Sequence, residues 1–145
     1  MHGRYFFGCI WILFLSPIFE VKSQNSDSLL AVYHSGQEGQ AKISTLHQLF
    51  LSYLNNDPVK AAEYAKEQLD YAESISDLTG IGMAYYNFGV LANNRNQFDS
   101  AAYFADRVIQ LGSVTQDAVP EATLLKAKSQ REMGKETEAD ETLME

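Results

Sequence analysis

The sequence predicts an all-α chain, on three observations. Ile43, Leu46, Leu49, Phe50, Tyr53 and Leu54 recur at three- and four-residue spacing, which sets them along one face of a helix. The stretch Lys60 to Leu69 (KAAEYAKEQL) returns forty residues later as Ser100 to Ile109 (SAAYFADRVI), with Ala61 on Ala101, Ala62 on Ala102, Tyr64 on Phe104 and Ala65 on Ala105. No stretch alternates apolar and polar residues with the period of two that a half-buried strand needs.

The order of elements starts with a targeting segment. Met1 to Arg4 carries one positive charge, Tyr5 to Phe19 is an apolar run (YFFGCIWILFLSPIF), and Val21-Lys22-Ser23 sets small or aliphatic residues at minus three and minus one. This is the layout of a secretory signal peptide over residues 1–23, cleaved after Ser23. An uncleaved membrane anchor needs about 20 predominantly apolar residues, and this run is shorter and interrupted by Gly8, Ser16 and Pro17. The expectation is export, with membrane contact only through this segment if it stays attached. Cys9, the single cysteine, lies inside it, so the mature chain is held by packing without a disulfide.

Residues 24–145 make one domain of 122 residues, long enough for a real core. The whole chain carries a formal charge of −8, and the mature part, with nine basic and eighteen acidic side chains, carries −9. Nucleic-acid binding is driven largely by cations that displace counterions from phosphates, so this balance argues against a nucleic-acid partner.

A short helix is expected around Leu29, Leu30 and Val32, ending at His34 beside Ser35-Gly36. After the helix of Ile43 to Leu54, Asp57 is the natural N-cap of the next one and Pro58 its first residue, where a missing N–H costs nothing. Ala61, Ala65, Leu69 and Ala72 form that helix's inward stripe. In the second copy Tyr85, Phe88 and Ala92 line one helix, and Ala101, Ala105 and Val108 the other, with Gly112 as C-cap. The run Asn93 to Gln97 (NNRNQ) reads as turn chemistry between them. A third, weaker copy keeps the small residues Ala127, Gly134 and Ala139, but Thr123, Lys126 and Gln130 stand where large apolar residues are expected, which predicts a poorly buried unit. The acidic tail Lys135 to Glu145 reads as a solvated helix face.

Tyr85, Phe88-Gly89, Ala92, Phe98, Ala101 and Val108, spaced over Met83 to Leu111, resemble the tetratricopeptide repeat family. The first copy fits at Leu46, Leu49, Tyr53, Ala61 and Leu69, but Phe50 stands at the glycine position and the turn is one residue short. The resemblance implies an α-solenoid of about three helix-turn-helix repeats, at about 41–77, 78–117 and 118–145, behind the short first helix. An interior helical glycine costs about 1 kcal/mol relative to alanine. In this family the small residue of the first helix faces that of the second, so Gly89 is expected to pack on Ala101, with Phe88, Phe98, Ala61 and Tyr53 as further repeat-packing positions. The period exceeds the family's usual value of about 34 residues, and the excess is assigned to Tyr71 to Gly82, where the second helix is expected to run on.

The stretch Asn25 to Asp77 looks like the periplasmic opening of bacterial sensor histidine kinases that carry such repeats. No kinase motif accompanies it, so the resemblance implies at most the exported module: a non-catalytic, periplasmic protein- or peptide-binding unit of the bacterial cell envelope, in the setting of a signalling system. The alternative expectation is a truncated or decayed fragment of a larger sensor kinase, which self-associates or needs a missing continuation. By position in the family, the ligand-facing residues are Ser44, His47 and Leu51 on one helix and Met83, Tyr86, Val90 and Asn93 on the next. Repeats that clamp a C-terminal carboxylate use Lys, Arg and Asn at such positions; His47, Leu51, Tyr86 and Val90 supply no cation. Two mature histidines (His34 and His47), no thiol, no glycine-rich phosphate loop and no metal-ligand spacing imply no enzyme activity, no cofactor and no metal.

Overall fold

The computed structural model describes residues 20–112 and 118–144. They form α1 (Glu20–His34), α2 (Gly39–Tyr53), α3 (Pro58–Ser74), α4 (Leu78–Asn94), α5 (Phe98–Leu111), α6 (Val119–Glu132) and α7 (Glu136–Met144). Among the described residues there is no strand, and no helix is long and apolar enough to cross a membrane. The apolar run of the expected signal peptide lies outside the described residues, and the expected cleavage bond after Ser23 falls in the first turn of α1.

Local chemistry explains where the helices start and stop. Asp57 caps α3 by accepting from the Lys60 N–H at 3.0 Å, with Pro58 at the opening position as expected. Asp77 does the same for α4 through the Thr79 N–H at 3.0 Å. Helices α3, α4 and α6 end in one shared motif. A residue in the left-handed region (Ser76, φ 55°; Asn96, φ 56°; Gly134, φ 75°) turns the chain, and the following N–H reaches back five residues: Asp77 to Ala72, Gln97 to Ala92 and Lys135 to Gln130, each at 2.9 Å. Asn96 places the expected turn within the NNRNQ run, because asparagine tolerates this conformation. The turn after α2 differs: the Asp57 N–H bonds the Tyr53 carbonyl at 2.8 Å with no left-handed residue between them. Gly112 ends α5 at φ 36°.

Each helix packs on the next in chain order; in addition α2 touches α4, and α4 touches α6. A first core gathers Leu46, Leu49 and Phe50 of α2, Ala61, Tyr64 and Ala65 of α3, and Leu91 of α4; Leu29, Leu30 and Tyr33 of α1 close it from one end. A second holds Ala105 and Val108 of α5 with Ala122 and Leu125 of α6. Val90 packs against both. Tyr33 fixes α1 in place by donating its hydroxyl to the Glu67 carboxylate at 2.8 and 3.0 Å. Lys42 joins the same carboxylate at 3.3 Å and lies over the Tyr71 ring. The hydrogen bond to Glu67, with burial, raises the Tyr33 phenol to about 12.

Two expectations are corrected here, and that for Gly89 is extended. The inward stripe of α3 is Ala61, Ala65, Gln68 and Ala72, whereas Leu69 is only half-buried; the 4-3-4 spacing keeps Gln68 on the same face. A Cβ on Gly89 would lie 2.8 Å from Leu125 Cδ2, and only 3.5 Å from the Ala101 carbonyl oxygen and Phe104 Cβ. The Ala101 backbone thus lies in ordinary contact with Gly89, and the tighter neighbour is Leu125 of α6. Gly80 is the closer approach, since a Cβ there would meet Ile43 Cδ1 at 2.7 Å, Ala72 Cβ at 2.9 Å and Asp77 Oδ2 at 3.0 Å. Finally, α6 and α7 do bury a shared face, and they do so with polar pairs. Thr142 of α7 donates to Gln130 Oε1 of α6 at 2.9 Å, Ser129 satisfies its buried hydroxyl within α6 on the Leu125 carbonyl at 2.8 Å, and Ala139 of α7 is fully buried. Lys126, too polar for a core, instead pairs with Asp106 of α5 at 2.8 Å.

Candidate functional site

The direct contacts of α2 with α4 and of α4 with α6 set these three helices side by side, and their solvent-side residues form one face. On α2, Ser44 is exposed, His47 half-buried, and Leu51 leaves 51 % of its surface in solvent. On α4, Met83, Tyr86, Val90 and Asn93 are all half-buried, at the spacing that keeps them on one side of a helix. The expected ligand-facing residues of each helix thus share a side. Leu51 stays open rather than packing under α1, and Val90 is held between the two cores.

The third helix adds residues that the sequence reading did not assign. Glu121, Leu124, Lys128 and Arg131 are all exposed on α6, Leu124 at 63 %. Glu121 lies close enough to Tyr86 to disfavour its phenolate; burial raises that phenol first, and Glu121 raises it further. Carrying the positions of Met83, Tyr86 and Val90 forward by 38 residues, the offset between Ala101 and Ala139, finds Glu121, Leu124 and Lys128. Arg131 is committed to Asp140 at 2.9 Å, and Lys128 makes no ion pair among the described residues. The face therefore does carry a cation, at its α6 end.

Charge is segregated about this face. Helix α4 contains no charged residue at all, and α2 contains only Lys42 besides His47. Acidic side chains concentrate on α3 and α7, with Glu63, Glu67, Asp70 and Glu73 on α3 and Glu136, Glu138, Asp140 and Glu141 on α7. In a chain of charge −8, the α2 and α4 part of this face is half-apolar and free of acidic side chains, a surface that a protein segment can cover with ions met only at the α6 end.

Beneath the strip runs a buried polar thread. Asn87 of α4, fully buried, donates Nδ2 to Oε1 of the equally buried Gln68 on α3 at 2.8 Å. The His47 ring of α2 stacks on Phe50 with centroids 6.2 Å apart. It lies against Asn87 closely enough for the amide to favour the imidazolium, though neither His47 Nδ1 nor Asn87 Oδ1 reaches a hydrogen bond of good geometry. Burial outweighs that influence and lowers the His47 imidazole below its ordinary value. Gln68 Nε2 and Asn93 Oδ1 are likewise buried without partners. Gln68 and Asn87 escaped the sequence reading, although each sits at a helical spacing otherwise filled by Ala or Leu: Ala65-Gln68-Ala72 and Ala84-Asn87-Leu91. Among the described residues no three His, Cys, Asp or Glu side chains stand together in a way that could hold a metal ion. Compared with protein-family models, with curated proteins and with solved structures, the chain has no match.

Proposed function

We propose that residues 24–145 are a tetratricopeptide-like α-solenoid of helix pairs α2–α3, α4–α5 and α6–α7 behind α1, exported to the periplasm as a non-catalytic module that binds a protein or peptide segment. One observation carries this reading: the side-by-side α2, α4 and α6 present Leu51, Met83, Tyr86, Val90 and Leu124 as a partly apolar strip, without acidic side chains along α2 and α4 and bounded by Glu121 and Lys128 at its α6 end. Partly open aromatic and aliphatic side chains over a packed scaffold are what anchor a partner's side chains. The similarity of Lys60–Leu69 to Ser100–Ile109, one on α3 and the other on α5, supports a repeated unit. Such a module fits the sensory part of an envelope signalling system.

Pull-down from a periplasmic extract with wild type, Tyr86→Ala, Asn93→Ala and Leu124→Asp tests the strip. The proposal expects a partner recovered by wild type and lost from the variants at unchanged helicity; equal recovery by all four removes the strip from the account. A second reading, self-association, draws on Leu143 and Met144 of α7, which are 45 % and 78 % exposed. Sedimentation over a hundredfold range of concentration separates the two, since a constant monomer mass eliminates self-association.

A further inference from the structure

Apolar burial is unevenly divided along the chain. Among the described residues, the large apolar side chains removed from solvent almost completely are Ile43, Leu46, Leu49 and Phe50 on α2 and Val108 on α5. Of the side chains that α6 and α7 bury, Leu125 is the one large apolar member; the others are alanines, Ser129, Gln130 and Thr142. Apolar burial stabilises in proportion to the area removed from water, whereas a hydrogen bond formed on folding replaces one to water and contributes little net. The Gln130–Thr142 bond therefore lets two polar groups be buried without adding much stability. The ion pairs of Lys126 with Asp106 and Arg131 with Asp140 are partly in solvent, where such pairs are weak. Leu125 is thus the main anchor of α6: it packs with Ala105 and Val108 of α5, and its Cδ2 fills the space that a side chain on Gly89 would need. Parting α7 from α6 alone would leave the buried Gln130 amide unpaired, which costs more than the bond contributes, so the two helices leave together. We propose that α6 and α7 open as one unit while the preceding helices stay folded, a conformational switch on the strip. Closed, α6 completes the strip with Leu124; open, Leu124 departs and the apolar seat that Leu125 shares with Tyr86 and Val90 is uncovered. A partner that spans α4 and α6 holds the unit shut, a consequence that rests on the proposed function.

Native-state hydrogen exchange of the protein, read by mass spectrometry at increasing sub-denaturing urea, tests the opening without a ligand, so its failure and that of the binding function are distinguishable. Amides of α6 and α7 are expected to share one opening, about tenfold or more above the population of the one that exposes α2, α3 and α4. Its urea dependence should be shallower, because less surface is exposed. All helices following a single opening with a single slope, or α6 and α7 following two separate ones, overturns the proposal. Thr142→Ala leaves Gln130 unpaired and is expected to raise the population of the open unit about tenfold, equally in α6 and α7, with α2 to α4 unmoved. Faster exchange in α7 alone, or to the same extent in α2 to α4, overturns it as well. Should Thr142→Ala fail to fold, the wild-type profile decides.

Discussion

Replacing Gly80 by alanine tests the packing account where it is tightest. The new methyl would lie 2.7 Å from Ile43 Cδ1 and 2.9 Å from Ala72 Cβ, where carbon pairs prefer about 3.5–4.0 Å. Both neighbours are fully buried, and Ala72 can withdraw only if the backbone of α3 moves. The methyl also presses on Asp77 Oδ2 at 3.0 Å, and that side chain is the N-cap of α4. Overpacking of this kind costs about 1–3 kcal/mol, and relief of the helical glycine returns about 1 kcal/mol at most. The net expectation is a loss of up to about 2 kcal/mol, or up to roughly 8 °C in Tm for a domain of this size. Gly89→Ala is the control. Its one tight neighbour is the Leu125 Cδ2 methyl at 2.8 Å, the end of a side chain that can rotate, so strain and propensity nearly cancel and stability should stay within about 1 kcal/mol of wild type. Urea melts followed by circular dichroism, read as a shift in midpoint at constant slope, measure both. A Gly89→Ala protein less stable than Gly80→Ala would refute the assignment of the close approach to Gly80.

Three further outcomes are expected. Gly89→Leu should lose about 1–3 kcal/mol in the same assay, because the Ala101 carbonyl and Phe104 at 3.5 Å leave no room for four more carbons. Burial favours neutral His47 in the folded state, so the unfolded chain binds more protons once pH falls below about 6.5. Its contribution to stability is complete above that pH and declines as pH drops toward the lowered folded value; urea midpoints from pH 7.5 to 5 should show this decline, and His47→Phe should flatten it. Tyr33→Phe removes the hydroxyl that holds Glu67, and amide hydrogen exchange should then speed up in α1 while α4 and α5 keep their protection.

What the sequence made legible is what neighbouring residues decide. Asp57 and Pro58, Gly112 and the turn at Asn96 each act through contacts within a few positions, and each could be read directly; the alanines of α3 and α5 were read from the repeat of their spacing. Features set between helices were harder. Gly80 and Gly89 are both glycines of α4, and nothing local shows that Ile43 and Ala72 crowd the first more than Leu125 crowds the second. Leu69 looks more suited to a core than Gln68, until Asn87 supplies a hydrogen-bond partner from another helix. The poor burial expected of the third helix pair rested on counting apolar residues, whereas Gln130 and Thr142 satisfy each other at 2.9 Å and can be buried together. On the candidate strip, the α2 and α4 residues came from their spacing. Leu124 and Lys128 went unassigned because their helix departs most from the repeat.

Photo-crosslinking from the strip tests the central claim most directly. A benzoylphenylalanine placed at Tyr86, on the half-buried strip, is compared in periplasmic extract with one placed at Tyr103, which is exposed on α5. Binding on the α2, α4 and α6 strip predicts a discrete adduct from position 86 that is absent from position 103 and is lost when Leu124→Asp is added. Adducts of equal yield from both positions, or from position 103 alone, would contradict it.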